Sequence, residues 1–171
     1  MGKNAGRKVI RKYIEEGRLA GKTDQDIYNE LPCELADKHT VAVMISSTAT
    51  PAAKNAYKAY NRVLVGLYAL LILTCAIVPF NMFIVAIALF SAWLLVETAR
   101  YNGTVYRIGG VVVFSQALFY TLNIELSVAM ILILVLAAII LNLSLYLGYK
   151  MFPSYKLFGL RRNEKGEYLF W

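Results

Sequence analysis

Gly17, Gly21, Lys22 and Thr23 are the residue types of a phosphate-binding loop. In such a loop glycines let backbone N–H groups cradle phosphate, a lysine reaches it and a hydroxyl meets magnesium. The spacing does not fit. Three residues, Arg18, Leu19 and Ala20, separate the two glycines, where the motif requires four. The context does not fit either, because such a loop follows a buried strand. Here Val9, Ile10, Tyr13 and Ile14 recur at helical spacing among Lys, Arg and Glu, the pattern of an amphipathic helix. The segment therefore reads as a turn. Gly17 and Gly21 end one helix, and Thr23 caps the next, with Asp24 and Asp26 favourable at its positive end. The order Thr23-Asp24-Gln25-Asp26 is a capping-box pattern. Ile10 and Ile14 are expected to pack on Ile27 and Leu31 across a helical hairpin.

Other chemistry is sparse. His39 is the single histidine, with no acidic pair or second histidine at ligand spacing, so no metal site is expected. Ser91, Ser115, Ser127 and Ser144 have no His or Lys nearby in their own apolar segments to activate them. No Gly-x-Ser-x-Gly or His-Glu-x-x-His occurs, and no cofactor is expected. Asn102-Gly-Thr and Asn142-Leu-Ser match the glycosylation pattern, but one falls in an expected inner turn and the other in an expected span. Cys33 and Cys75 lie in a polar and an apolar segment respectively, and no disulfide is expected between them.

The remaining candidates are polar groups inside apolar segments, where burial is costly. They are Glu97, Arg100, Arg107, Gln116 and Asn142, with Thr74 a lesser one. Glu97 and Arg100 are three apart and share a helix face; Arg107 follows across a short turn. A salt-bridged clamp between neighbouring spans is the expected role of this trio, and ion or substrate coordination the alternative. Gln116 and Asn142 are expected to hydrogen-bond between helices.

The elements that position these residues follow from composition. Of 171 residues, 58% are hydrophobic, extreme for a soluble domain. Between Val63 and Tyr149 only Glu97, Arg100, Arg107 and Glu125 carry charge. Residues 1–62 carry eleven Lys/Arg against seven Asp/Glu, and residues 150–171 five against two. Basic flanks beside apolar segments reflect membrane topology, so the net charge of +7 does not mark a nucleic-acid partner. A membrane-crossing helix needs about 20 apolar residues. Four segments qualify: 63–80, 82–99, 104–122 and 126–149. Arg107, in the first turn of the third, is expected to reach back to the headgroups. The turns near 79–82 and 123–125 carry no cation, whereas the turn 100–107 carries two arginines and both flanks are basic. Under the positive-inside rule both termini are cytoplasmic. The opening residues lack the apolar core of a cleaved signal peptide, and Gly6 stands where a myristoylation site needs Ser or Thr.

The sequence thus predicts an all-α integral membrane protein, with four transmembrane helices in two tight hairpins and a small cytoplasmic helical head. Residues 1–50 form the head, 51–150 the transmembrane domain and 151–171 an aromatic and basic tail, which lies either on the head or on the inner leaflet. Thr50-Pro51 reads as the start of a long helix reaching about residue 79, and Thr40–Ile45 as a short helix. The expected partners are the lipid bilayer and either further copies of the chain or a protein on the cytoplasmic side. The first functional reading is a non-catalytic scaffold or anchoring subunit. The second is a small oligomeric transporter or channel subunit, with a path lined by Gln116, Asn142 and the Glu97 group. A membrane-embedded enzyme is the third.

Overall fold

The computed structural model describes residues 3–31, 37–78, 81–123, 127–155 and, beyond them, 160, 162, 167, 168 and 170; the side chains of 3–8 and 123 are not described. Cys33 and Glu125, both named above, lie outside the described residues, as do residues 79 and 80 of the first turn and much of the tail. Among the described residues every regular element is an α-helix, and isolated bridges pair Tyr155 with Leu160 and Arg162 with Tyr168. The chain divides into two compact units, Met1–Thr50 with Phe152–Trp171, and Pro51–Met151.

The first unit holds α1 (Lys3–Leu19), α2 (Asp24–Glu30) and α3 (Lys38–Ser47). Its core is Ile10, Ile14, Ile27, Leu31, Val41 and Ile45, all buried. This joins the two faces paired in the sequence and adds the apolar side of α3. Gly17 permits the close approach of α1 to α2, since a Cβ there would lie 2.9 Å from Ile27 Cγ1. Gly21 makes the turn at φ +79°, in the left-handed region. Thr23 caps α2 by accepting from the Asp26 N–H, and Asp26 accepts in return from the Thr23 N–H. Asp37 caps α3 by accepting from the Thr40 N–H at 2.6 Å. Arg18 ties the elements together. Its guanidinium makes a two-pronged contact with Asp24 at 2.7 and 2.8 Å and donates to the Thr48 and Ile45 carbonyls. In the tail, Phe170 packs on the core, and Tyr28 meets both Tyr168 and Phe170.

The second unit is a bundle of α5 (Lys58–Ile77), α6 (Met82–Ala99), α7 (Gly103–Asn123) and α8 (Val128–Met151), preceded by the short α4 (Pro51–Ala56). α5 packs on α6 and α8, and α7 packs on α6 and α8. All four long helices are long and apolar enough to cross a membrane. Each is apolar on its outer face as well as its inner one. Ile77, Leu89 and Val128 are 81%, 68% and 86% exposed, the arrangement of helices bathed in lipid. On α5 the inner face is Asn61, Leu64, Tyr68, Leu71 and Cys75, at helical spacing.

The long helix expected from residue 51 is divided at Tyr57, whose φ of −106° and ψ of 12° leave helical geometry. Hydrogen bonds still run through the break, from the Tyr57 N–H to the Ala53 carbonyl and from the Asn61 N–H to the Tyr57 carbonyl. The break accompanies packing of the Tyr57 ring against Tyr60 and Tyr146.

Candidate functional site

One group of polar residues of the second unit gathers at one end of the bundle, around the turn between α6 and α7. α6 ends in a Schellman arrangement. The Asn102 N–H donates to the Glu97 carbonyl at 3.1 Å and the Tyr101 N–H to the Thr98 carbonyl at 3.0 Å. The left-handed position usual for glycine is held by Tyr101, at φ 55°. A side chain there costs about 1–2 kcal/mol, and side-chain bonds across the turn offset that cost. Glu97 supplies them: its carboxylate accepts from Asn102 Nδ2 at 2.7 Å and from Arg100 Nη1 at 3.4 Å. Asn102 Oδ1 in turn accepts from the Thr104 hydroxyl at 2.9 Å, at the start of α7.

Glu97 and Arg100 therefore meet, with Arg100 largely exposed at 68% and Glu97 at 19%. Arg107 does not join them. Its guanidinium donates to the Gly148 carbonyl on α8 at 3.2 Å. Its stem fills the space beside Gly148, where an added Cβ would lie 2.8 Å from Arg107 Cγ. The expected three-membered clamp between α6 and α7 is thus two contacts: Glu97 holds its own turn, and Arg107 holds α7 to α8.

Below this turn lies a network that the order of residues alone does not reveal. Tyr106 on α7, fully buried, donates to Asn61 Oδ1 on α5 at 2.5 Å and approaches the Thr98 carbonyl on α6 at 3.1 Å. Asn61 Nδ2 donates to the same carbonyl at 3.3 Å. Ser144 on α8 donates to the Tyr106 carbonyl. Asn61, Thr98, Tyr106 and Ser144 thus join all four long helices. The sequence signal was faint. Asn61 and Tyr68 are seven residues apart, two turns along one face, but nothing in the order of residues says that this face meets Tyr106.

The other two candidates separate. Asn142 is on the exposed face of α8 and donates to the Ala138 carbonyl of its own helix at 2.8 Å. That is a local back-bond in place of the expected link between helices. Gln116 lines an apolar groove of about 510 Å³ between α6 and α7, with Phe83, Ala86, Val111, Ser115 and Phe119. Its Oε1 and the Ser91 hydroxyl are buried without a hydrogen-bond partner.

In the first unit the former phosphate-loop lysine has a partner. Lys22 Nζ lies 2.5 Å from Glu30 Oε2, which also accepts from the Tyr13 hydroxyl at 2.9 Å. The bond from Lys22, then that from Tyr13, holds the Glu30 carboxyl below its ordinary pKa, and the bond to Glu30 raises that of Lys22. His39 Nδ1 lies 2.9 Å from the Tyr168 hydroxyl. Among the described residues no group of three or more His, Cys, Asp or Glu side chains is placed to hold a metal.

The class these features define is an all-helical protein whose larger unit is a bundle of four membrane-length apolar helices, locked at one end by a buried polar network. No protein-family model, curated protein or solved structure matches the chain.

Proposed function

We propose that the chain is a non-catalytic polytopic membrane protein, a scaffold or anchoring subunit. In this reading the four long helices cross the bilayer as two tight hairpins, and both termini are cytoplasmic. Residues 1–50 and the tail form the head that meets a protein partner or further copies. The observation that carries the reading is the Asn61–Tyr106–Thr98–Ser144 network. It engages its buried polar groups with one another and joins all four helices, which suits a rigid anchor better than a solute path. The Arg18 contacts do the same for the head.

The test pairs reconstitution with light scattering in mild detergent. The anchor reading expects liposomes holding the protein to be no more permeable to small ions than protein-free liposomes, and the chain to form a defined particle in detergent. Ion flux above the protein-free rate would contradict it, most clearly if Gln116→Leu abolished that flux without lowering stability.

The second reading, a small oligomeric transporter or channel subunit, draws on the buried and unpartnered Gln116 amide oxygen beside the α6–α7 groove. An unmatched polar group in hydrocarbon is costly, and a path assembled from several copies would give this one a role. The same flux measurement separates the two readings.

A further inference from the structure

The seam where α4 and the start of α5 pack along α8 combines aromatic rings with cations that have no ion-pair partner among the described residues. Tyr57, Tyr60 and Tyr146 form one ring cluster, with centroids 6.0 to 6.4 Å apart. Lys54 stands three residues before Tyr57, and Lys150 four residues after Tyr146. Those spacings place each lysine one turn from its ring on the same helix face. α4 packs on α8, so both lysines lie beyond the ring cluster at the same end of the bundle. Lys58 and Arg62 add two more cations, at four-residue intervals from Lys54.

Among the described residues no acidic side chain forms an ion pair with these groups. Neither 51–62 nor 144–155 contains an Asp or Glu, and the salt bridges among the described residues involve none of the four cations. On the other side of the rings both helices continue as lipid-facing stripes. On α5 the stripe runs through Tyr60, Val63, Leu70 and Leu73, and on α8 back from Tyr146 through Ile139, Val135 and Leu132. Running from Lys54 and Lys150, the order along the seam is cation, aromatic ring, hydrocarbon surface, with Lys58 and Arg62 at the level of the rings. It matches phosphate, glycerol backbone and acyl chain in a phospholipid. Tyrosine rings favour the headgroup level, and lysines next to a bilayer draw anionic lipids at about 1 kcal/mol each.

We propose that this seam is a binding site for an anionic phospholipid. Its phosphate sits between Lys54 and Lys150, its glycerol region lies against Tyr57, Tyr60 and Tyr146, and its chains run along the α5 and α8 stripes. The lipid-anchored source follows from the continuity of the rings with the apolar stripes. A soluble phosphate would use the cations alone.

The test measures lipids retained by the full chain after extraction from nanodiscs of phosphatidylglycerol and phosphatidylcholine, read by native mass spectrometry. The wild-type chain should retain phosphatidylglycerol preferentially. Lys54→Gln with Lys150→Gln should lower that preference roughly thirtyfold, toward parity. Lys54→Arg with Lys150→Arg should preserve it. The melting temperature of the Gln variant in phosphatidylcholine alone should match wild type, which separates lost binding from lost folding. Equal retention of the two lipids by the wild-type chain, or an unchanged preference in the Gln variant, would overturn the site. So would displacement of the bound lipid by millimolar inorganic phosphate. The inference rests on the membrane reading of the bundle but not on its orientation. A wild-type chain that does not enter nanodiscs overturns that reading and the site together, whereas insertion without preference overturns the site alone.

Discussion

Tyr106→Phe is the sharpest perturbation of the bundle, because it removes one oxygen and leaves the ring in place. The hydroxyl donates to Asn61 Oδ1 at 2.5 Å, and Asn61 is only 3% exposed. After substitution that oxygen keeps neither this donor nor access to water. The Thr98 carbonyl is affected less, since it still accepts from the Tyr101 N–H and from Asn61 Nδ2. One stranded buried acceptor costs about 1–3 kcal/mol in proteins generally. Hydrogen bonds between transmembrane helices average nearer 0.6 kcal/mol, with a maximum of about 1.7. The loss should therefore be about 1–2 kcal/mol. Asn61→Leu removes the acceptor instead, and the double variant removes both partners at once. Reversible unfolding in mixed micelles should give a double-variant loss smaller than the sum of the singles by about 1 kcal/mol, the sign of a shared bond. Additive losses, or no measurable effect of Tyr106→Phe, would refute the reasoning that this network locks the bundle.

Gly110→Ala should destabilise the bundle by about 1–3 kcal/mol, because an added Cβ would lie 3.0 Å from Ser144 Cβ and 3.1 Å from the Leu141 Cα on the facing backbone. Gly66→Ala meets open space and should be neutral or stabilising by up to about 1 kcal/mol; the same unfolding assay ranks the pair. In the head, Asp26, Glu30 and Asp37 are held below their ordinary pKa, first by hydrogen bonds from Thr23, Lys22 and Thr40 respectively. A carboxyl with a lowered folded pKa contributes its stability above its unfolded pKa of about 4 and loses it as pH falls through the folded value. Hydrogen-exchange protection of Ile10, Ile14 and Ile27, corrected for intrinsic rates, should therefore decline between pH 5 and pH 3, and unchanged protection would contradict the pairing. Glu97→Gln and Arg107→Gln should add within about 0.5 kcal/mol, as separate contacts do, and coupling of Glu97 to the exposed Arg100 should stay below about 1 kcal/mol. Strong Glu97–Arg107 coupling would restore the three-membered clamp.

What the sequence made legible followed from local rules. The four long helices are visible because their apolar length alone decides them, and Thr23 announced its cap by its position before two aspartates. Ile10 and Ile14 opposite Ile27 and Leu31 could be paired because a turn of known length joins them. The bundle's interior was not legible in the same way. α5 is apolar nearly all round, so periodicity does not say which side meets its neighbours, and the inward direction of Asn61 and Tyr68 emerges only when four helices are packed together. Arg107 illustrates the same limit. It follows Glu97 closely along the chain, yet one helix face further round it meets α8 at Gly148. The break at Tyr57 had no Gly or Pro to announce it, because it accompanies packing on Tyr146, far along the chain.

The proposed anchor is a four-pass chain with both termini inside, and cysteine accessibility in intact cells tests this most directly. With Cys33→Ser and Cys75→Ala as background, single cysteines are introduced at Ala56, Met82, Ala99 and Val128, all exposed positions at helix ends. An impermeant thiol reagent should label Met82→Cys and Val128→Cys in intact cells, and Ala56→Cys and Ala99→Cys only after permeabilisation. Labelling of Ala99→Cys in intact cells together with protection of Val128→Cys would contradict the proposed topology.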